Sequence, residues 1–147
     1  MAGELEVAPL GTTKTLEASG GITASNAITQ ANDGSYNIYT DGGGYPHVRF
    51  VLGWTMASAP SAEGIIELRY RAKNIDGANH ADAPEAGWGK TIAYFNVNNH
   101  GSAQYDEFYA KDVPIEADYY IYNNNLGVSI SAGWTLKATP WTYLPGA

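Results

Sequence analysis

Apolar and polar residues alternate with a period of two along much of this chain. The cleanest run is Ile65 to Lys73. There Ile66, Leu68, Tyr70 and Ala72 share one face, and Glu67, Arg69, Arg71 and Lys73 share the other. That pattern predicts a strand with one packed face and one solvated, charged face. His47 to Trp54 predicts a second, with Val48, Phe50, Leu52 and Trp54 packed and His47, Arg49 and Val51 opposite. Thr91 to Val97 and Ala103 to Val113 read as two more, the latter stopped by Pro114. Asp118 to Tyr122 puts Tyr120 and Tyr122 on one side and Tyr119 and Ile121 on the other. Trp134, Leu136 and Ala138 share a face of the run that ends at Pro140. Between these two runs lies Asn123-Asn124-Asn125-Leu126-Gly127, and the expectation is a hairpin.

The N-terminal half is less regular. Thr12 to Glu17, Ile22 to Ile28 and Ser35 to Thr40 are short strand candidates. Gly20-Gly21 and Asn32-Asp33-Gly34 read as turns, the second of hairpin type because Asp-Gly tolerates positive φ. Asp41 to Gly44, Ala57 to Glu63 and Asn98 to Gly101 are loops or turns. Asn74 to Lys90 is the longest irregular stretch, and loops beyond about 12–15 residues are often functional or mobile.

About eight or nine strands at this spacing predict an all-β chain, an antiparallel β-sandwich or jelly-roll-like single domain. Its 147 residues suit one domain. Residues 11–139 would form the sandwich. Residues 1–10 read as an extended N-terminal arm and residues 140–147 as an apolar C-terminal tail, neither joining the core. Seventeen glycines and eleven tyrosines fit many short strands and tight turns.

Charge removes several functions. The formal net charge is −7, and the eight Lys and Arg are scattered. A nucleic-acid partner would require clustered cations. There are no cysteines, so disulfides and thiolate chemistry are out. No apolar run reaches the roughly 18 residues of a membrane helix. The acidic start, Met-Ala-Gly-Glu-Leu-Glu-Val, does not read as a signal peptide.

Candidate chemistry is sparse. His47, His80 and His100 accompany many serines and aspartates, but no Gly-x-Ser-x-Gly elbow positions a nucleophile. Asp106 and Glu107 are adjacent, so on a strand they would face opposite sides. The loop Asn74 to Asp82 alternates oxygen-bearing residues without the spacing of a calcium loop. No cofactor, metal or enzymatic activity is expected. The stronger rival is an aromatic platform for carbohydrate. Tyr36, Tyr39, Tyr45, Trp88, Trp141 and Tyr143 lie at or near loops and ends, as in the carbohydrate-binding sandwich of a tail or fibre.

Two stretches carry a resemblance. One is Leu68-x-Tyr70-x-Ala72-x-Asn74-Ile75-Asp76-Gly77. The other is Asn124-Asn125-x-Gly127-x-Ser129-x-Ser131-Ala132-Gly133-Trp134-Thr135-Leu136-Lys137, followed by Pro140 and Tyr143. Phe95-Asn96-Val97-Asn98 and Asp112-Val113-Pro114 fall between them. The pattern resembles that of small virion proteins of tailed bacteriophages, over residues 65 to 144. The resemblance implies a non-enzymatic head decoration (cement) protein on the outer surface of the virion, made in the host cytoplasm. It further implies a homotrimer bound to the major capsid protein. On that reading Leu5, Val7 and Leu10 of the arm, and Trp141, Tyr143 and Leu144 of the tail, would contact neighbours. Arg69 and Arg71 would meet an acidic partner.

Overall fold

The computed structural model describes the backbone of residues 5–9, 11–60 and 64–145, and the side chains of 11–60 and 64–143. Among them are ten strands and no helix. They are β1 (Leu5–Pro9), β2 (Lys14–Gly20), β3 (Ile28–Gln30), β4 (Tyr36–Asn37), β5 (His47–Trp54), β6 (Ile65–Ala72), β7 (Lys90–Asn96), β8 (Gln104–Ala110), β9 (Glu116–Asn124) and β10 (Trp134–Pro145).

All pairings between strands are antiparallel, in two sheets. In the first, β1 and β2 lie end to end along β10, followed by β5 and β8. In the second, β3 and β4 lie end to end along β9, followed by β6 and β7. Each broken pair fills one strand position, so each sheet has four. The pairing is that of one long hairpin rolled up: first position with last, second with seventh, third with sixth, fourth with fifth. Successive rungs fall alternately in the two sheets, which is the winding of a jelly roll.

The core lies between the two inner faces. Val48, Phe50 and Leu52 of β5 and Trp134, Leu136 and Ala138 of β10 are fully buried from one side. Ile66, Leu68, Phe95, Tyr119 and Ile121 meet them from the other. Phe50 and Tyr119 touch across the gap, with ring centroids 4.9 Å apart. The alternation in β5 and β10 therefore marks the inward residues as expected, whereas in β9 Tyr120 and Tyr122 on the opposite face are buried as well.

The connections differ from expectation. β9 and β10 do not form a hairpin; they belong to opposite sheets. The linker 125–133 is longer than a usual hairpin loop of about two to five residues. It carries Ile130 across the end of the sandwich, where that residue bridges to both Thr23 and Met56. Nor does Asn32-Asp33-Gly34 reverse the chain. β3 and β4 both run antiparallel to β9, so this segment is a detour within one strand position.

The two ends are also corrected. β1 pairs with β10 from Leu5↔Pro145 to Pro9↔Trp141, so the arm and the tail are each other's partners. β10 runs unbroken through Pro140, with no boundary between sandwich and tail. Val7 stands opposite Tyr143 and Glu6 opposite Leu144. Leu10 lies outside the described residues, as do the side chains of Leu5, Val7 and Leu144.

Candidate functional site

The charged face of β6 is not solvated. Glu67 and Arg69 are only 7% and 8% exposed. The chain after β6 folds back over them as a roof. The guanidinium Nη1 of Arg69 donates to the carbonyl oxygens of Glu85, Ala86 and Trp88. Its carbon sits 4.0 Å from the centre of the Tyr122 ring. Its Nη2 is 3.7 Å from the Glu67 carboxylate. Glu67 in turn accepts hydrogen bonds from Thr91 Oγ1 and Asn124 Nδ2, at 2.7 Å each. Arg71 Nε donates to the Ala81 carbonyl at 2.9 Å. Charged and partnered in this way, the two arginines hold the roof and do not present a docking surface. A row of charges outside a strand looks the same in sequence whether water or the chain itself covers it.

Local rules shape the roof. The Asp76 carboxylate accepts from the backbone amides of Ala78 and Asn79 at 3.1 and 2.7 Å and from Asn79 Nδ2 at 2.6 Å. These bonds, the Asn79 amide first, favour the ionised form and pull its pKa down to about 2. The Ala81 amide donates to the Ala72 carbonyl at 2.8 Å. Glu85 and Trp88 exchange backbone hydrogen bonds of 2.9 and 3.2 Å, closing a tight loop. Gly89 follows with φ +146°, and a Cβ there would sit 2.6 Å from Pro84 Cβ. Only glycine combines that backbone angle with that space.

Roof and sheet enclose a cleft of about 340 Å³ lined by Tyr70, Ala72, Ala81, Asp82, Trp88, Gly89 and Lys90. Trp88 is 47% exposed, whereas Trp54, Trp134 and Trp141 are buried.

Among the described residues, the outer face of the first sheet has no such roof. Tyr105 of β8 is 76% exposed, and Tyr109 and Tyr143 are also exposed. Arg49 and Glu107 form a loose ion pair at 3.9 Å. Trp141 stands on this face but is only 1% exposed. His47, Tyr109 and Tyr143 surround it, with ring centroids at 4.9, 5.5 and 4.9 Å. It anchors the face from within and cannot itself be a contact residue. Tyr143 is available, with the Lys111 ammonium 5.3 Å from its ring centre.

The proposed aromatic platform divides. Tyr36 and Trp141 are buried; Tyr39, Tyr45, Trp88 and Tyr143 are exposed. Each histidine serves a turn or junction: Nδ1 of His47, His80 and His100 accepts the backbone amide of Asp112, Asn74 and Ser102 respectively. Asp106 accepts from the amides of Asn96 and Glu107. Among the described residues no three His, Asp or Glu side chains converge as metal ligands would. Comparison with protein families, with curated proteins and with solved structures finds no match to this chain. Sequence reading missed the cleft because Tyr70, Asp82 and Trp88 meet only once the roof folds back. The available signal was the run of roof carbonyls awaiting donors opposite two arginines.

Proposed function

We propose that this protein is a non-enzymatic structural component of a tailed-phage virion, a decoration protein that binds the major capsid protein on the outside of the head. The observation that carries the reading is the contrast between the two outer faces. The chain roofs one sheet with its own residues and leaves the other open. On the open face stand Tyr105, Tyr109 and Tyr143, all exposed. Tyrosine combines a large apolar ring with a hydroxyl, and it is enriched where proteins adhere. The resemblance of residues 65 to 144 to small virion proteins supports the same reading. So does a net charge of −7, which keeps free copies apart before they reach a surface. The N-terminal arm is paired with the C-terminal tail as part of the first sheet, and the tail supplies Tyr143 to this face. A homotrimer would bring three such faces to one symmetry axis.

The test is to add purified protein to undecorated heads and measure the bound amount by sedimentation. The expected result is saturation at a fixed ratio to the capsid protein, with decorated heads withstanding higher temperature. Replacing Tyr105 and Tyr109 together with serine should weaken binding by about ten-fold or more, the equivalent of 1.4 kcal/mol. Heads that bind no protein at any concentration would overturn the reading.

A further inference from the structure

We propose that the cleft under the roof is a binding site for a neutral saccharide, separate from the tyrosine face and independent of the decoration reading. Its walls are ready before any ligand arrives. Arg69 holds three roof carbonyls, Arg71 holds the Ala81 carbonyl, and the Ala81 amide is tied to Ala72. A volume of about 340 Å³ falls in the usual range for small-ligand sites.

The lining decides the chemistry. Tyr70 and Trp88 supply aromatic surface, while Asp82 and Lys90 supply one acceptor and one donor group. A sugar ring has matching parts: an apolar C–H face to lie on an aromatic ring, and hydroxyls around its edge to donate to a carboxylate and accept from an ammonium. A pure hydrocarbon would leave Asp82 and Lys90 unused and partly desolvated, at a cost. A polyanion would meet the Asp82 carboxylate on a protein of net charge −7. Trp88 adds the second argument. The other three tryptophans are buried, but this one stands half in solvent at a concave wall. Its side chain contributes little to the core, so its value lies in what it meets there.

The experiment is calorimetric titration of the full chain with glucose, galactose, mannose, N-acetylglucosamine and the disaccharides maltose and lactose. At least one should bind saturably, and Trp emission of the parent should shift with the same midpoint, since Trp88 is the exposed tryptophan. Trp88→Ala should abolish the binding, Trp88→Phe should retain part of it, and Asp82→Asn should weaken it by about ten-fold. Circular dichroism checks that Trp88→Ala folds; if it does not, Asp82→Asn carries the test. Asp82→Asn should decorate heads as the parent does, which separates this site from the tyrosine face. No saturable heat with any of the six sugars would overturn the proposal, and so would parent-like binding by folded Trp88→Ala or by Asp82→Asn.

Discussion

The indole of Trp134 occupies the space that a side chain at Gly20 would need: a Cβ built there would lie 1.9 Å from Trp134 Cε2. The two residues are opposite each other in the β2–β10 pairing, and Trp134 Nε1 donates to the Gly21 carbonyl at 2.8 Å. Gly20→Ala must therefore expel the largest buried ring of the core or break the edge of the sheet. A loss of about 3 kcal/mol is expected, at the upper end for overpacking. Urea unfolding should show it as a lower midpoint with an unchanged slope. A midpoint within error of the parent would contradict the packing.

Asn123 ties the linker between the sheets to its surroundings. Fully buried, it donates through Nδ2 to the carbonyls of Thr23 and Val128 at 3.2 and 2.8 Å. Its Oδ1 accepts the Leu126 amide at 3.3 Å. Asn123→Ala leaves three backbone groups without these partners, those of Thr23 and Leu126 buried and that of Val128 half-buried. The expected cost is about 2–3 kcal/mol, and Asn123→Asp should cost at least as much, because its carboxylate would set a buried charge against the two carbonyl oxygens that Nδ2 now serves. Thermal melting of the two variants side by side checks the order.

Arg69 holds the far end of the roof, as Arg71 holds its Ala81 end. Arg69→Met removes the donors to three carbonyls and leaves Glu67 without its buried counter-charge. A destabilisation of about 2–4 kcal/mol is expected. Hydrogen exchange should report faster exchange at Ala81 and Trp88 than in the parent, with the amides of β5 changed only through global stability. Uniform loss of protection with no local excess would count against the roof as a distinct unit.

High pH should unfold the protein through its buried tyrosines. Tyr36 is pushed up to about 12, by burial first and by the Asp41 carboxylate second. Tyr119 is raised further by burial and by Tyr36 and Tyr70 nearby. Neither hydroxyl has a hydrogen-bond partner among the described residues. Because the folded value lies above the unfolded value of 10.0, the neutral ring is favoured in the native state. That contribution is complete below about pH 10 and is lost as pH rises through about 12, by up to roughly 3 kcal/mol for Tyr36. Tyrosinate absorbance and circular dichroism, followed together from pH 9 upward, should show the last tyrosines ionising as the strands melt.

The strands were legible where one face is buried and the other is not. β5 follows the alternation almost residue for residue, because burial selects Val48, Phe50 and Leu52 at every second position, whereas in β6 all four residues from Ile66 to Arg69 are buried. Partners were not legible. The same alternation suits Trp134 whether β9 lies beside β10 or across the core from it, so the hairpin expectation failed on topology alone. Glu67 and Arg69 were read as solvated because their cover comes from a distant, irregular segment. For the same reason the cleft could not be read from Trp88 or Tyr70 separately.

Joining β1 to β10 has a temporal consequence. A ribosome releases β1 before the other nine described strands, and β10 last among them. Until β10 emerges, the inner apolar faces of β2 and β5 lack the strand that sits between them. Of the four rungs, only β6–β7 joins neighbours in sequence; the others close across longer stretches that contain it. Assembly is therefore nonlocal and slow for a chain of this length, and it completes only once β10 has emerged.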